Sequence, residues 1–297
     1  MFRFALIGLI FAAITQMSDA DEKTLSFSTV FKGTAQFDQL KKTAYANHWA
    51  ELPIGKRTVA VGKALVGTPY ESFTLEIDDH IEAPSVNLLG LDCWTFFEIS
   101  LAFARMLDDP KEQHTPQRLL HYIELDRYRD GKCDGQYLSR LHYLEDWLWD
   151  NHQRQLVRDI TKDLGGIRAP VRAKEMTIGW KGYRYLRNNT ELIPQLAKHE
   201  KRIEQLPTYY IPRQRVRQIE DKLQDGDIIG VFSKAANGKV STSHVGLAYR
   251  DSAGVLRFMH ATTQKDYGRQ VAIDSRLSSY INRFSHQAGI LVARPLR

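Results

Sequence analysis

Cysteine is scarce in this chain: only Cys93 and Cys133 occur in 297 residues. A chain this long can build an apolar core without a covalent staple, so a disulfide framework is not expected. There is no His-Glu-x-x-His, no Cys-x-x-Cys pair and no compact histidine–carboxylate cluster, although ten histidines are present. A metal centre is therefore not expected, and no cofactor is implied. Internal repeats, low-complexity tracts and signatures of nucleic-acid-binding modules are also missing. The formal charge of +6 is spread along the chain rather than gathered in a patch. That argues against a nucleic-acid partner. After the first twenty residues no apolar run approaches the length of a membrane span.

What is present begins with MFRFALIGLIFAAITQMSDA. A basic residue at Arg3, an uncharged apolar run from Phe4 to Ile14 and small residues at Ser18 and Ala20 have the order of a secretory signal. The reading is a signal peptide over 1–20 and a single domain over 21–297, exported to the periplasm or secreted without stable membrane insertion. A basic exported protein can meet an anionic cell-wall polymer.

The pattern along the chain is helical first and strand-like last. Residues 34–65 read as helix-rich, and Gly67-Thr68-Pro69 stops them. From Cys93 to Met106 the residues are apolar almost all round, as in a helix buried at a domain centre, with Asp92 at the N-cap position. Residues 111–225 read as mostly helical, with SRLHYLEDWLWDNHQRQLV as an amphipathic helix and PTYYIP as an extended connector. DGDIIGVFS, SHVGLAYR, VLRFMHATT and GILVARP are short β-rich runs, and DSAG marks a turn between two of them. Helices followed by strands argue for an α+β fold with segregated layers.

A turn centred near residue 252 makes opposed residues sum to 504 or 505, which places His244 and His260 directly across from each other. Cys93 at a helix N-terminus is a candidate nucleophile. The helix dipole and a nearby imidazolium are expected to lower its pKa, and the first free N–H groups can hold an oxyanion. Nucleophilic cysteine catalysis needs a base beside the thiol and a polar orienter behind the base. Taken singly, a cysteine at a buried helix start or a histidine on a strand is more often structural.

GTPY, an Asp-Cys opening a central helix, SHVGLAYR and FMHAT, in that order, resemble the NlpC/p60 superfamily of papain-like cell-wall cysteine hydrolases. The resemblance covers about 60–106 and 225–297. It implies a papain-like core, a cysteine-bearing helix packed on an antiparallel sheet, with a large mostly helical insertion over about 107–224. It also implies Cys93 as nucleophile, His244 as base, His260 as orienting residue and Tyr70 as a wall of the site. The usual Ser-Gly after the cysteine is Trp94-Thr95 here, so Trp94 is expected to narrow the mouth. DCWTFFE, YRDG, SRLHYLEDWLWDN and DIT further resemble the branch catalogued as domain of unknown function 1460, described as N-acetylmuramoyl-L-alanine amidase-like. That resemblance implies hydrolysis of the amide between N-acetylmuramic acid and L-alanine in peptidoglycan or muropeptide fragments. The alternatives are a γ-D-glutamyl-diaminopimelate endopeptidase and a non-catalytic wall-binding protein. Arg140 and Arg213 are candidates for the carboxylates of a stem peptide. Tyr210, with Tyr143, Trp147 and Tyr209, is a candidate wall, although the spacing of Tyr143 and Trp147 also suits a helix core.

Overall fold

The helix Cys93–Met106 starts where it does because Asp92 caps it. Asp92 is extended, its carboxylate accepts the Thr95 N–H at 2.7 Å, and the Thr95 hydroxyl accepts the Asp92 N–H at 3.0 Å. Two otherwise orphaned donors are thus satisfied reciprocally. From Thr95 to Met106 every residue is buried. Two charged side chains in that run find partners on the helix Pro116–Arg127. Arg127 donates to Glu98 at 2.7 Å, and Arg105 pairs with Asp126. A buried charge persists only with such a partner.

This computed structural model describes residues 24–296, so the signal reading of residues 1–20 lies outside the described residues. A short parallel pair is formed by β1 (Phe31–Lys32) and β2 (Val86–Asn87). The main sheet contains β3 (Val157–Asp159), β4 (Ile167–Arg168), β5 (Tyr209–Pro212), β6 (Ile228–Lys234), β7 (Val240–Arg250), β8 (Leu256–Ala261), β9 (Val271–Arg276) and β10 (Gln287–Pro295). Its order is β4-β5-β10-β6-β7-β8-β9, with β3 also paired to β10, and all its pairs are antiparallel. The fold is α+β. Alternation along the strands gives the sheet two apolar faces. Ile228, Phe232, Val245, Leu247 and Met259 join the large core that holds the Cys93–Met106 helix. Ile229, Val231, Ala248, Phe258 and Tyr280 form a second core on the other side.

The middle of the chain differs from its sequence reading. Helices do form at Pro116–Arg127, Leu144–Gln153 and Ile193–Ile203, but β3, β4 and β5 also arise there and widen the sheet beyond β10. PTYYIP is not merely a connector: Ile211 pairs with Ile290 and Pro212 with Gly289. SRLHYLEDWLWDNHQRQLV is helical only over Leu144–Gln153. Arg140 and Tyr143 are extended, and the Leu141 N–H is spent on the Arg127 carbonyl at 2.9 Å.

The β7–β8 turn differs too. Arg250 pairs with Leu256 and Leu247 with Met259, so opposed residues sum to 506. The loop is longer than the DSAG reading allowed, because Asp251 Oδ1 accepts both the Ala253 and Val255 N–H groups and Gly254 turns with φ 74°. His244 and His260 are therefore diagonal rather than opposed, still within reach for imidazole side chains.

Candidate active site

The strand β7 bends just before His244. Val231 pairs with His244, but the next partner pair is Phe232 with Thr242, which leaves Ser243 as an extra residue. Such a bulge re-aims the side chains beside it. His244 Nε2 and His260 Nδ1 lie 2.6 Å apart, with the rings edge-on at 4.8 Å between centroids. His260 stacks on Phe258 at 4.7 Å, and both rings pack against Tyr280. Gly246 makes this approach possible: a Cβ there would meet the Met259 carbonyl oxygen at 2.5 Å and the Phe258 ring at 2.7 Å.

Behind His260 stands Asp274, on β9. Its Oδ2 lies 3.5 Å from His260 Nε2, a distance at the limit of a hydrogen bond, and the Arg283 guanidinium and the Tyr267 hydroxyl each donate to its Oδ1 at 2.6 Å. Burial opposes its charge. Hydrogen bonds from His260, Arg283, Tyr267 and the Ser275 N–H nevertheless hold its pKa below the usual carboxylate range. An ionised Asp274 requires a proton on His260 Nε2. His260 Nδ1 then accepts, His244 Nε2 donates, and Nδ1 is the nitrogen of His244 left free to take a proton. This tautomer is assigned from the network. Burial, assisted by His260, pushes the His244 pKa well below its ordinary value, so the resting imidazole is neutral.

Cys93 occupies the first turn of its helix and faces the backbone N–H groups of Val245, Cys93 and Trp94. Those groups favour a thiolate, but burial and the adjacent Asp92 carboxylate outweigh them and push the thiol up to about 12. The expectation of a lowered pKa therefore does not hold in the resting site. The helix N-terminus is present, but the low local polarity and the acidic cap oppose it. A neutral thiol that shares a cavity with a neutral imidazole can still react by passing its proton as the sulfur attacks. Cys133 lies elsewhere and is also a free thiol, hydrogen-bonded to the Glu82 carbonyl at 3.5 Å.

Cys93 and His244 open on one cavity of about 390 Å³. Tyr70 and Trp94 line it. Burial and the nearby Cys93 and Asp92 push the Tyr70 hydroxyl up to about 12, so it is a proton donor at neutral pH. Trp94 packs edge-on against Phe97 at 5.6 Å. Arg140 also lines the cavity, but it is buried and ion-paired with Glu76 at 3.0 Å and Glu82 at 3.5 Å. Its guanidinium lies over the Tyr137 ring. It is therefore not a free fork for a substrate carboxylate. Arg213 and Tyr210 are not among the cavity's lining residues. Arg213 donates to the Phe284 carbonyl at 3.2 Å, and Tyr210 packs edge-on against Phe232. Trp147 is core, edge-on to Phe97, whereas Tyr143 reaches the cavity and donates to Glu200 at 2.6 Å.

The sequence reading missed Asp274 and Glu145. Asp274 left a faint trace, an acid at a buried strand position in VAIDSR. Glu145 left none, since an acid in the first turn of a helix is ordinary. It lines the cavity, and its Oε1 accepts the Thr242 hydroxyl at 2.6 Å. Among the described residues no group of histidine, cysteine and carboxylate side chains could hold a metal ion.

Set against known proteins, residues 60–290 match the family described as AmiA-like, N-acetylmuramoyl-L-alanine amidase-like. Among curated proteins none matches. Solved structures align with TM-scores near 0.7. An N-acetylmuramoyl-L-alanine amidase from Bacteroides uniformis has 26% identity over 82% of this chain and 99% of its own, with a TM-score of 0.71. A protein from Bacteroides fragilis described as a putative xylanase has 30% identity over 78% of this chain and 98% of its own, with a TM-score of 0.69.

Proposed function

The chain belongs to the AmiA-like family of N-acetylmuramoyl-L-alanine amidase-like proteins, and from that premise we propose that it is a cysteine-dependent amidase. It cuts the bond between the lactyl carbonyl of N-acetylmuramic acid and L-alanine in peptidoglycan or its fragments. The observation that carries the cysteine chemistry is the 2.6 Å contact between His244 and His260, placed on the cavity that also receives Cys93. The NlpC/p60 relationship and export through residues 1–20 belong to the same proposal. They rest on the motif order and on the leader-like sequence.

In this mechanism substrate binding excludes water, and His244 Nδ1 takes the Cys93 proton as the sulfur attacks the lactyl carbonyl. The carbon–sulfur bond forms while the carbonyl electron pair moves to oxygen. The N–H groups of Cys93 and Trp94, with the Tyr70 hydroxyl, hold that oxygen. His244 returns the proton to the L-alanine nitrogen as the amide bond breaks. Water, deprotonated by His244, then hydrolyses the thioester. His260 donates no proton to substrate. It fixes the ring of His244 and shares its transient charge with Asp274.

The test is mass spectrometry of a purified GlcNAc–anhydroMurNAc stem-peptide fragment incubated with wild type and with Cys93→Ala. Free disaccharide and a peptide beginning with L-alanine, released by wild type alone, are expected. Sugar still carrying L-Ala-D-Glu would make the protein an endopeptidase instead. Equal cleavage by Cys93→Ala would end the cysteine mechanism, and no cleavage of fragment or polymer would favour a binding role.

A further inference from the structure

The cavity lining offers no uncommitted cation. Arg140 is the lone lysine or arginine among its lining residues, and it is already committed to Glu76 and Glu82. Burial keeps His142 and His244 neutral, and the same burial pushes the Asp92 and Glu145 carboxyls above their ordinary range. The carboxylic side chains facing the same space are Glu76, Asp92, Glu145 and Glu175. Three of these are engaged: Glu76 by Arg140, Asp92 by the capping box and Glu175 by Arg172 at 2.9 Å. Glu145 has no cation. It is 4% exposed, and while Oε1 takes the Thr242 hydroxyl, Oε2 is buried with no hydrogen-bond partner. A buried carboxyl oxygen without a donor is costly, and its need is met when a ligand brings an N–H or O–H. Thr242 lies on β7 two residues before His244, so Glu145 is tied to the strand that carries the base.

A cleft of this kind disfavours a free carboxylate, which would meet acids and no unpaired cation. It suits an uncharged group rich in donors and with apolar faces, set among Tyr70, Phe73, Trp94 and Tyr183. Resting on the amidase reading above, we propose that this cavity is the glycan-side subsite. It receives the neutral N-acetylated sugar, with Glu145 as the acceptor that reads one of its N–H or O–H donors, while the carboxylated stem peptide lies outside it. Arginine forks for the stem are accordingly not found in this cavity, and Glu145 is a specificity-determining residue.

Glu145→Gln is close to isosteric but has a single acceptor oxygen. If that oxygen keeps Thr242, an NH₂ group faces the sugar donor. The experiment is calorimetric titration of the Cys93→Ala protein, with and without Glu145→Gln, using N-acetylmuramoyl methylamide and the free tripeptide L-Ala-γ-D-Glu-diaminopimelate. The neutral sugar amide is expected to bind more tightly than the tripeptide. Glu145→Gln should weaken the sugar amide at least about tenfold while leaving the tripeptide unchanged or improved. A merely structural role would weaken both ligands together. The proposal is overturned if the tripeptide binds at least as well as the sugar amide, if neither binds, or if Glu145→Gln leaves sugar binding intact. Because no bond is cut in this experiment, failure of the amidase reading would appear in the cleavage assay alone.

Discussion

At the scale of single residues, the site is a line of groups that settle one another's protons. Asp274 is the one member whose charge is secured independently, by Arg283 and Tyr267. Its Asn variant can present an amide N–H to His260 Nε2, which would invert the tautomers of both histidines and put a proton on the His244 nitrogen proposed as the base. Asp274→Asn should lower kcat by roughly 10- to 100-fold, a smaller loss than the direct partner of a catalytic histidine gives. KM should change little and the pH–rate profile should shift, as steady-state kinetics across pH would reveal; an unchanged profile would leave Asp274 a purely structural residue. The thiol makes a separate prediction. With Cys93 pushed up to about 12 by burial and by Asp92, iodoacetamide should alkylate it more slowly at pH 7 than free cysteine, and faster as pH rises. Rapid alkylation that is flat between pH 6 and 8 would instead mean a preformed thiolate–imidazolium pair.

At the scale of elements, three local devices aim the groups. The capping box fixes where the Cys93 helix begins, and so fixes Cys93 in its first turn. The Ser243 bulge resets β7 against β6, and the close approach at Gly246 sets β7 against β8. The glycine of SHVG is thereby explained by space. Gly246→Ala would press on the Met259 carbonyl and on the Phe258 ring that stacks against His260. Overpacking of this kind costs about 1–3 kcal/mol. Chemical denaturation should show that loss, and activity should fall further than the stability change explains, because His260 is displaced with Phe258. Full activity in a destabilised Gly246→Ala protein would separate the packing from the chemistry.

At the scale of the whole molecule, burial of the histidines sets the acid limit. His244 and His260 are both held below the ordinary histidine range, burial being the main cause. The unfolded chain therefore takes up protons near pH 6.5 while the native site does not, so their contribution to stability is present above that pH and declines as pH falls through it. Asp274 has the same sign at a lower window: its stabilisation is present above about pH 4 and lost below. Thermal melting from pH 3 to pH 8 should show wild type losing stability in two stages. In Asp274→Asn the lower stage should be reduced. By the same reasoning the acid limb of kcat/KM should lie below pH 6.5, since the free base stays unprotonated to lower pH than an exposed histidine.

The parts legible in the sequence were those set by neighbours along the chain. Asp92 before an apolar run specifies a capped, buried helix, and the cysteine at its start follows from local rules alone. The strand alternation around His244 and His260 placed both on one face of a hairpin, although the turn chemistry of Asp251 moved the register from the expected sum to 506. Tyr70 and Trp94 were pointed to by the family resemblance of GTPY and of the residues after the cysteine, and both line the cavity. What the tertiary structure decided depended on residues far apart in the chain. Arg140 looked available until Glu76 and Glu82 folded onto it, and Arg213 and Tyr210 were carried to other parts of the sheet. The raised thiol pKa, the ionised Asp274 and the uncompensated Glu145 follow from burial and from partners on other elements. Spacing along the chain determines local geometry. Charge state and access depend on which groups meet once the polar surroundings of water are gone, and that is fixed only by the packed structure.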